Sequence, residues 1–167
     1  MILTISGSAG HPSSNTQLLQ TIAETFPEHS WQMYDQLVYL PMYCPDLDQE
    51  PVPSEVAHFR SLVNQARAVI ISTPEYLHNI PACLKNGLEW LRTNGELNKK
   101  PVLPITMTPR SPRGQYAMAS LRNSLQALQA RIVAEMPLYR NEMKYTKEGF
   151  SLSYEDNELF SEAIGML

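Results

Sequence analysis

The sequence alternates five times between a short strand-like run and a longer helix-like segment, and this alternation limits the possible fold more than any other feature. The clearest strand is residues 68–73, AVIIST, a largely apolar run of the kind expected when both faces of a strand are covered. Five βα units of roughly 30 residues, joined by right-handed crossovers, predict a parallel sheet with helices on both faces. We therefore expect an α/β protein.

The bounds of the predicted elements follow from this pattern. Strands are predicted at residues 2–6, 31–34, 68–73, 101–107 and 131–134, and helices at 15–26, 54–65, 81–91, 115–130 and 154–166. Ser14 or Asn15 is the expected N-cap of the first helix, and Ser54 that of the second. Four prolines between residues 40 and 53 exclude regular structure from most of that stretch.

The composition is that of an ordinary globular protein, with 43% hydrophobic and 18% charged residues, and we expect one domain over residues 1–167. A net charge of −4 argues against general nucleic-acid binding. Cys44 and Cys83 form no CxxC motif, and the four histidines lack metal-ligand spacing. Because no apolar run of about 18 residues and no signal-peptide pattern occurs, we expect no membrane span and a cytoplasmic location.

Ligands of open parallel sheets bind beyond the carboxyl ends of the strands, at the point where the strand order reverses. This rule selects the loops that follow the first, third and fourth predicted strands, which are residues 7–14, 74–80 and 108–114. These loops also have the least ordinary composition in the chain. We therefore expect the functional site where they meet.

The first loop lies within SGSAGHPSSNT, residues 6–16, which contains no fixed charge. It offers Ser8, Ser13, Ser14 and Asn15 at the start of a helix, where free N–H groups and the helix dipole favour an anion such as a phosphate. The loop matches neither the Walker pattern nor GxGxxG. The alternative interpretation is a plain Gly/Ser turn with an Asn cap.

The second loop belongs to TPEYLHNIPACLKNGLEW, residues 73–90, in which Tyr76, His78 and Asn79 follow a buried strand. Backbone amides of such a loop can hydrogen-bond a planar heterocycle while Tyr76 covers its face. For His78 taken alone, the favoured interpretation is a solvated loop histidine. Cys83, at a helix start, is interpreted as a small packing residue, with a stabilised thiolate as the alternative.

These residues carry a resemblance to a known family. Gly7-Ser8 with Ser13 and Asn15, followed by PEY at 74–76 and PxxLKNxxEW at 81–90, resembles the NAD(P)H-dependent FMN reductase family, which includes quinone, azo-dye and chromate reductases. The resemblance extends over essentially the whole chain, including Glu148-Gly149 and residues 158–159. It implies a flavodoxin-like three-layer sandwich whose five-stranded parallel sheet has the order 2-1-3-4-5.

The resemblance also implies the cofactors and partners. FMN would be bound without a covalent link, with NADPH or NADH as co-substrate and a small molecule as the electron acceptor. The chain would form a homodimer or a dimer of dimers, and apolar residues near the site support this expectation, namely Leu77, Leu88, Trp90 and Leu91. No side chain is expected to be catalytic, because the redox chemistry belongs to the flavin.

By position, the resemblance assigns three sets of cofactor-binding residues. The phosphate set is Ser8, Ser13, Ser14 and Asn15. The set lining the isoalloxazine ring is Pro74, Glu75, Tyr76, Leu77, His78 and Asn79. The set closing over the other side of the ring is Thr108, Arg110, Ser111 and Gly114.

The chain departs from the family pattern at several of these positions. Gly10 stands where many members have Arg, Leu77 where Asn is usual, and Ala82 where Gly is usual. The third loop, TPRSPRGQY, brings Arg110 and Arg113, which are candidates for contacting the extra phosphate of NADPH or are solvated loop arginines. Two other functions stay open: an FMN-binding electron carrier without a nicotinamide site, and a non-catalytic binding protein on the same fold.

Overall fold

A parallel sheet forms the centre of the computed structural model, which describes residues 1–146 and 149–167; Glu148 lies outside the described residues. Its strands are β1 (Ile2–Ser6), β2 (Trp31–Tyr34), β3 (Ala68–Thr73), β4 (Pro101–Thr108), β5 (Arg131–Ile132) and β6 (Met136–Tyr139). The order is β2-β1-β3-β4-β5, and β6 also pairs with β4. The predicted five-position parallel sheet with the order 2-1-3-4-5 is therefore confirmed.

The five helices lie close to their predicted positions. They are α1 (Ser14–Thr25), α2 (Ser54–Gln65), α3 (Ala82–Trp90), α4 (Gln115–Ala127) and α5 (Tyr154–Gly165). The predicted N-caps, Ser14 or Asn15 for α1 and Ser54 for α2, are both wrong. The N-cap of α1 is Ser13, and Pro53 precedes α2 while the Ser54 hydroxyl donates to Glu55 Oε2 at 3.0 Å.

The alternating side chains of the strands divide the core into two clusters. In β3, Val69 and Ile71 face the cluster built with α2, α3 and α4, whereas Ala68 and Ile70 face the cluster built with α1 and α5. All four of these side chains are fully buried. The run AVIIST is apolar throughout its first four residues because both of its faces are covered.

The fifth strand position differs from the prediction. Instead of one strand at residues 131–134, two short strands pair with β4, with β5 against Pro101 and Val102 and β6 against residues 105–108. A small antiparallel hairpin that the sequence analysis did not predict follows, made of β7 (Lys144–Thr146) and β8 (Gly149–Ser151). It packs against α1, where the Tyr145 hydroxyl donates to Gln17 Oε1 at 3.1 Å.

The Pro-rich segment after β2 is held by two side chains of α3. Asn86 Oδ1 accepts from the Tyr43 N–H at 2.7 Å, and the indole N–H of the buried Trp90 donates to the Pro41 carbonyl at 2.8 Å. These two members of the LKNxxEW motif therefore fix a loop of the protein. Across the described residues, no helix has the length and apolar character needed to span a membrane.

Candidate functional site

The loops after β1, β3 and β4 meet at the carboxyl edge of the sheet and enclose a cavity of about 400 Å³. This volume lies within the range of about 300–1,000 Å³ that is usual for cofactor and small-molecule sites. Eight predicted site residues line it, namely Ser8, Ser13, Ser14, Asn15, Pro74, Glu75, Tyr76 and Thr108. The remaining wall is formed by Gly10, Pro12, Met107, Pro109, Arg113 and Arg140.

Six predicted site residues lie outside this lining, namely Leu77, His78, Asn79, Arg110, Ser111 and Gly114. Leu77 is 100% exposed, and the side chain of His78 is also mostly exposed. Gly114 has a φ of +101°, a conformation that glycine adopts without strain. A Cβ built there would also lie only 3.0 Å from Thr106 Oγ1, so a larger residue would be crowded. Contacts between these six residues and a flavin stay a prediction.

The start of α1 forms the polar end of the cavity. Ser13 Oγ accepts from the N–H groups of Asn15 and Thr16, at 3.2 and 3.4 Å, and this hydroxyl keeps its own hydrogen for a ligand. Among the described residues, the Ser14 N–H has no acceptor and is directed away from the helix body. Neutral donors at a helix N-terminus therefore make this end suitable for an anion.

Asn15 has a second, structural role at this position. Its Oδ1 accepts from the Ser72 hydroxyl at 2.8 Å, and both side chains are buried. Ser72 lies in β3, so this hydrogen bond ties the first turn of α1 to the centre of the sheet. The side-chain amide nitrogen of Asn15 forms no hydrogen bond with the described part of the chain and is available to a ligand.

The loop after β3 forms a tight two-residue turn beside the cavity. Tyr76 and Asn79 exchange two backbone hydrogen bonds of 2.9 Å, and Leu77 and His78 between them have φ values of +50° and +58°. Two consecutive residues with positive φ are characteristic of a type I′ turn, which favours Asn-Gly. Leu-His is a strained choice at these positions, and the turn holds Tyr76 half-exposed at the cavity wall.

Glu75 joins two of the three loops. Its Oε2 accepts from the backbone N–H groups of Tyr116 and Ala117, both at 3.0 Å, at the start of α4. The carboxylate thus caps α4, where the helix dipole favours a negative charge. On the same turn, His78 lies 3.7 Å from Glu75 Oε1 and packs edge-on against Tyr116, at a centroid distance of 4.6 Å.

The opposite wall is apolar near the sheet and cationic at its rim. Met107 and Pro109 flank the predicted Thr108, and Arg113 and Arg140 supply guanidinium groups. Met107 and Pro109 could have been found as neighbours of a predicted residue. Arg140 follows β6 and had no signal in the sequence, because only the tertiary fold brings it to this edge.

Gly7 and Cys83 show how closely α3 approaches the first loop. A Cβ on Gly7 would lie 2.8 Å from Leu84 Cδ2, so only glycine fits there without displacement. The Cys83 thiol lies 3.6 Å from the Gly7 carbonyl oxygen, and burial raises its pKa. This environment favours the interpretation of Cys83 as a packing residue. No group of metal-ligating side chains occurs in residues 1–146 and 149–167.

A sheet of this order, with an anion-accepting helix start at its switch point and an apolar cleft beside it, defines a flavodoxin-like nucleotide-binding protein. Solved structures bear out the fold. The flavoenzyme NAD(P)H:(acceptor) oxidoreductase FerB from Paracoccus denitrificans matches 99% of this chain and 93% of its own, with a TM-score of 0.82 and 22% identity. Flavodoxin 1 from Bacillus cereus matches 99% and 97% with a TM-score of 0.61 and 14% identity.

Sequence comparison identifies the family. The sequence model of the NADPH-dependent FMN reductase family matches residues 1–142, and the chain belongs to that family. A curated relative from Vibrio ruber, named NADH:(hydroxy)cinnamate reductase subunit CrdA, is 34% identical over 88% of this chain and 75% of its own length. A quinone reductase of Escherichia coli K12 is 29% identical over 79% and 72%. The family resemblance and its cofactor prediction are confirmed: the protein is an oxidoreductase that uses FMN with NADPH or NADH as reductant.

The cavity suits FMN in its donors and in its shape. The hydroxyls and free N–H at the α1 start match a phosphate monoester, and the walls made by Pro74, Tyr76, Met107 and Pro109 match a planar, largely apolar ring. A Cβ on Gly10 would meet only Ser8 Oγ, at 3.9 Å, so the rim of the phosphate end is open. The residues present therefore fit the cofactor that the family uses.

Proposed function

We propose that the protein transfers electrons from NADH or NADPH, through FMN held in the cavity at the carboxyl edge of the sheet, to a small acceptor such as a quinone or free flavin. The observation that carries this proposal is the cavity itself, with polar donors at the α1 start and an apolar cleft beside them. The names of the relatives support the acceptor class, since several are quinone reductases and one is a flavin reductase subunit.

Within this proposal, the residues of the chain bind and orient, and the bound flavin supplies the hydride chemistry. Ser8, Ser13 and the Ser14 N–H hold the phosphate. Pro74 and Tyr76 line one side of the ring, and Met107 with Pro109 lines the other. Glu75 keeps the second loop against α4, so the ring is bound between two walls that are already connected.

A second candidate is a subunit that passes its electrons to a partner protein. Two relatives, CrdA and the Lactobacillus johnsonii flavin reductase, are named as subunits, which favours this candidate. The surface beside the cavity also offers apolar groups, because Leu77 is fully exposed and Tyr76 and Tyr116 are each 50% exposed. An acceptor protein or a second copy of this chain would find contacts there.

We also propose a single domain, a homodimer or dimer of dimers, and a cytoplasmic location. The four apolar residues that the sequence offers for dimerisation differ in burial. Leu88, Trp90 and Leu91 are buried within the core, and Leu77 alone of the four is exposed to a partner. Sedimentation at micromolar concentration tests the assembly, and a monomer that keeps its flavin would exclude a flavin pocket shared between subunits.

The test of the function begins with the purified protein. Its flavin should be released by heat and identified as FMN by mass spectrometry, and anaerobic NADH or NADPH should bleach the flavin absorbance. Quinones, free flavin and azo compounds should then restore the colour. A protein that binds no FMN, or whose bound FMN neither nucleotide reduces, would contradict the proposal.

The variant Tyr76→Ala tests whether FMN binds in the cavity. Because Tyr76 is half-exposed and aromatic contacts contribute about 1 kcal/mol, FMN affinity should fall roughly fivefold while the melting temperature of the apoprotein stays nearly unchanged. Tyr39→Ala is the matched control, since Tyr39 is 70% exposed and lies outside the cavity lining. Equal FMN affinities of the two variants would show that Tyr76 does not contact the flavin.

A further inference from the structure

Arg140 lies at the rim of the cavity although it follows Gly114, the last residue of the predicted site, at a long distance along the chain. It directly follows β6, which ends at Tyr139. The next residue, Asn141, donates its backbone N–H to the Pro109 carbonyl at 3.2 Å, which fixes this segment beside the loop after β4. Arg140 therefore shares a cavity with Ser14, the first residue of α1.

The Arg140 side chain lies against Tyr145, an aromatic residue that itself contacts α1. Its guanidinium carbon lies 5.4 Å from the centre of the Tyr145 ring, within the range of a cation–π contact. The Tyr145 hydroxyl in turn donates to Oε1 of Gln17, which belongs to the first turn of α1. The chain of contacts from Arg140 through Tyr145 to Gln17 thus ends one helical turn from the anion-accepting N–H groups.

The charge of Arg140 is uncompensated within the described residues. Arg60 and Arg122 each form an ion pair with a carboxylate, whereas Arg140 forms none in residues 1–146 and 149–167. The loop at residues 7–14 contains no Lys or Arg. Among the described lining residues of the cavity, Arg113 and Arg140 are therefore the two cations available to a dianionic phosphate at the α1 start.

We propose that Arg140, oriented by Tyr145, is the cationic ligand of the FMN phosphate in this protein and replaces the charge that its phosphate loop lacks. The proposal rests on the proposed function, because it concerns the same cavity. Arg113 is the competing cation at the rim. Its backbone carbonyl accepts from Thr108 Oγ1, but no described contact connects its side chain to α1.

The test compares how FMN and riboflavin bind to the apoprotein, because riboflavin lacks the phosphate. Flavin fluorescence quenching should show that Arg140→Ala weakens FMN about fivefold at low salt, as expected for a partly exposed charge pair, and leaves riboflavin unchanged. The difference between variant and wild type should shrink as salt is added. Arg140→Lys should retain part of the affinity, and Tyr145→Leu should weaken FMN by a smaller factor than Arg140→Ala.

Arg92→Ala is the matched control. Arg92 also lies over a tyrosine ring, that of Tyr43, at 5.5 Å, and its removal changes the net charge equally, but it lies outside this cavity. FMN affinity should be unchanged in this variant. The melting temperature of each apoprotein confirms that the variants are folded.

Three outcomes would overturn the proposal: unchanged FMN affinity in Arg140→Ala, equal weakening of riboflavin and FMN, or loss of FMN affinity in Arg113→Ala instead. Failure of the proposed function gives a different result, because the wild-type protein itself would then bind no FMN. FMN binding by wild type with no effect at Arg140 would overturn the assignment of this residue alone.

Discussion

Replacing Asn15 with Ala separates a structural role from a ligand role at the start of α1. Asn15 Oδ1 accepts from the Ser72 hydroxyl at 2.8 Å, and the two residues are 4% and 0% exposed. The substitution leaves a buried hydroxyl without its acceptor, which costs about 1–3 kcal/mol. Taking about 2 kcal/mol, and about 2–4 °C per kcal/mol for a chain of this size, the apoprotein should melt roughly 4–8 °C lower.

A double-mutant cycle assigns this loss to the hydrogen bond. Ser72→Ala alone leaves the Asn15 oxygen without its donor, whereas the double variant removes both partners. The free energy of unfolding, from urea titration, should therefore fall in the double variant by about 1 kcal/mol less than the sum of the single losses. Asn123→Ala is the control, because Asn123 is exposed in α4 and Ala favours a helix.

The same variants test whether the hydrogen bond between Asn15 and Ser72 stabilises the fold. If Asn15→Ala leaves the melting temperature of the apoprotein unchanged, or if the two losses are additive, the hydrogen bond does not stabilise the fold. A loss of FMN affinity in a variant with unchanged stability would instead make Asn15 a ligand residue only.

Two further predictions concern other parts of the chain. Burial raises the pKa of Glu96 above its ordinary value of 4.5, so the folded protein holds this proton where the unfolded chain has lost it, and stability falls as pH rises from about 4.5 through the folded pKa. In urea unfolding, the stability of Glu96→Gln should therefore rise relative to that of wild type as the pH is raised from 4 to 7. A stability difference that falls over this range would contradict the direction of the pKa shift. Replacing Leu77-His78 by Asn-Gly should relieve the strain of two positive φ values and raise the melting temperature of the apoprotein by a few degrees, at about 1 kcal/mol. An unchanged or lower melting temperature would show that the native turn is unstrained.

The sheet could be predicted because its signal is local. Strands β1 and β3 are short apolar runs, and the helices between them repeat apolar residues at helical spacing. The prediction placed a single strand at residues 131–134, so the separate strand β6, which is only four residues long, was missed. Among the described residues β6 pairs with β4 alone, so the missing N–H of Pro137 can lie at the unpaired edge of the strand.

The candidate site could be predicted where its residues lie in a loop that directly follows a predicted strand. Ser8 and Ser13 belong to one loop that follows a strand, and the cavity includes both. The partner of the Glu75 carboxylate is a helix start 41 residues further on, which no local pattern indicates. The position of Arg140 at the cavity depends on the pairing of β6 with β4, which no local pattern around Arg140 indicates.

The two clusters of the core draw on different lengths of the chain. The buried residues of the cluster beneath α2, α3 and α4 end at Leu125, whereas the cluster beneath α1 also needs Phe150, Phe160 and Ile164. The ribosome adds residues in chain order. The residues that pack on one face of the sheet are therefore synthesised before those that cover the apolar side of α1. Arg140, the last lining residue of the cofactor cavity along the chain, lies between Leu125 and Phe150.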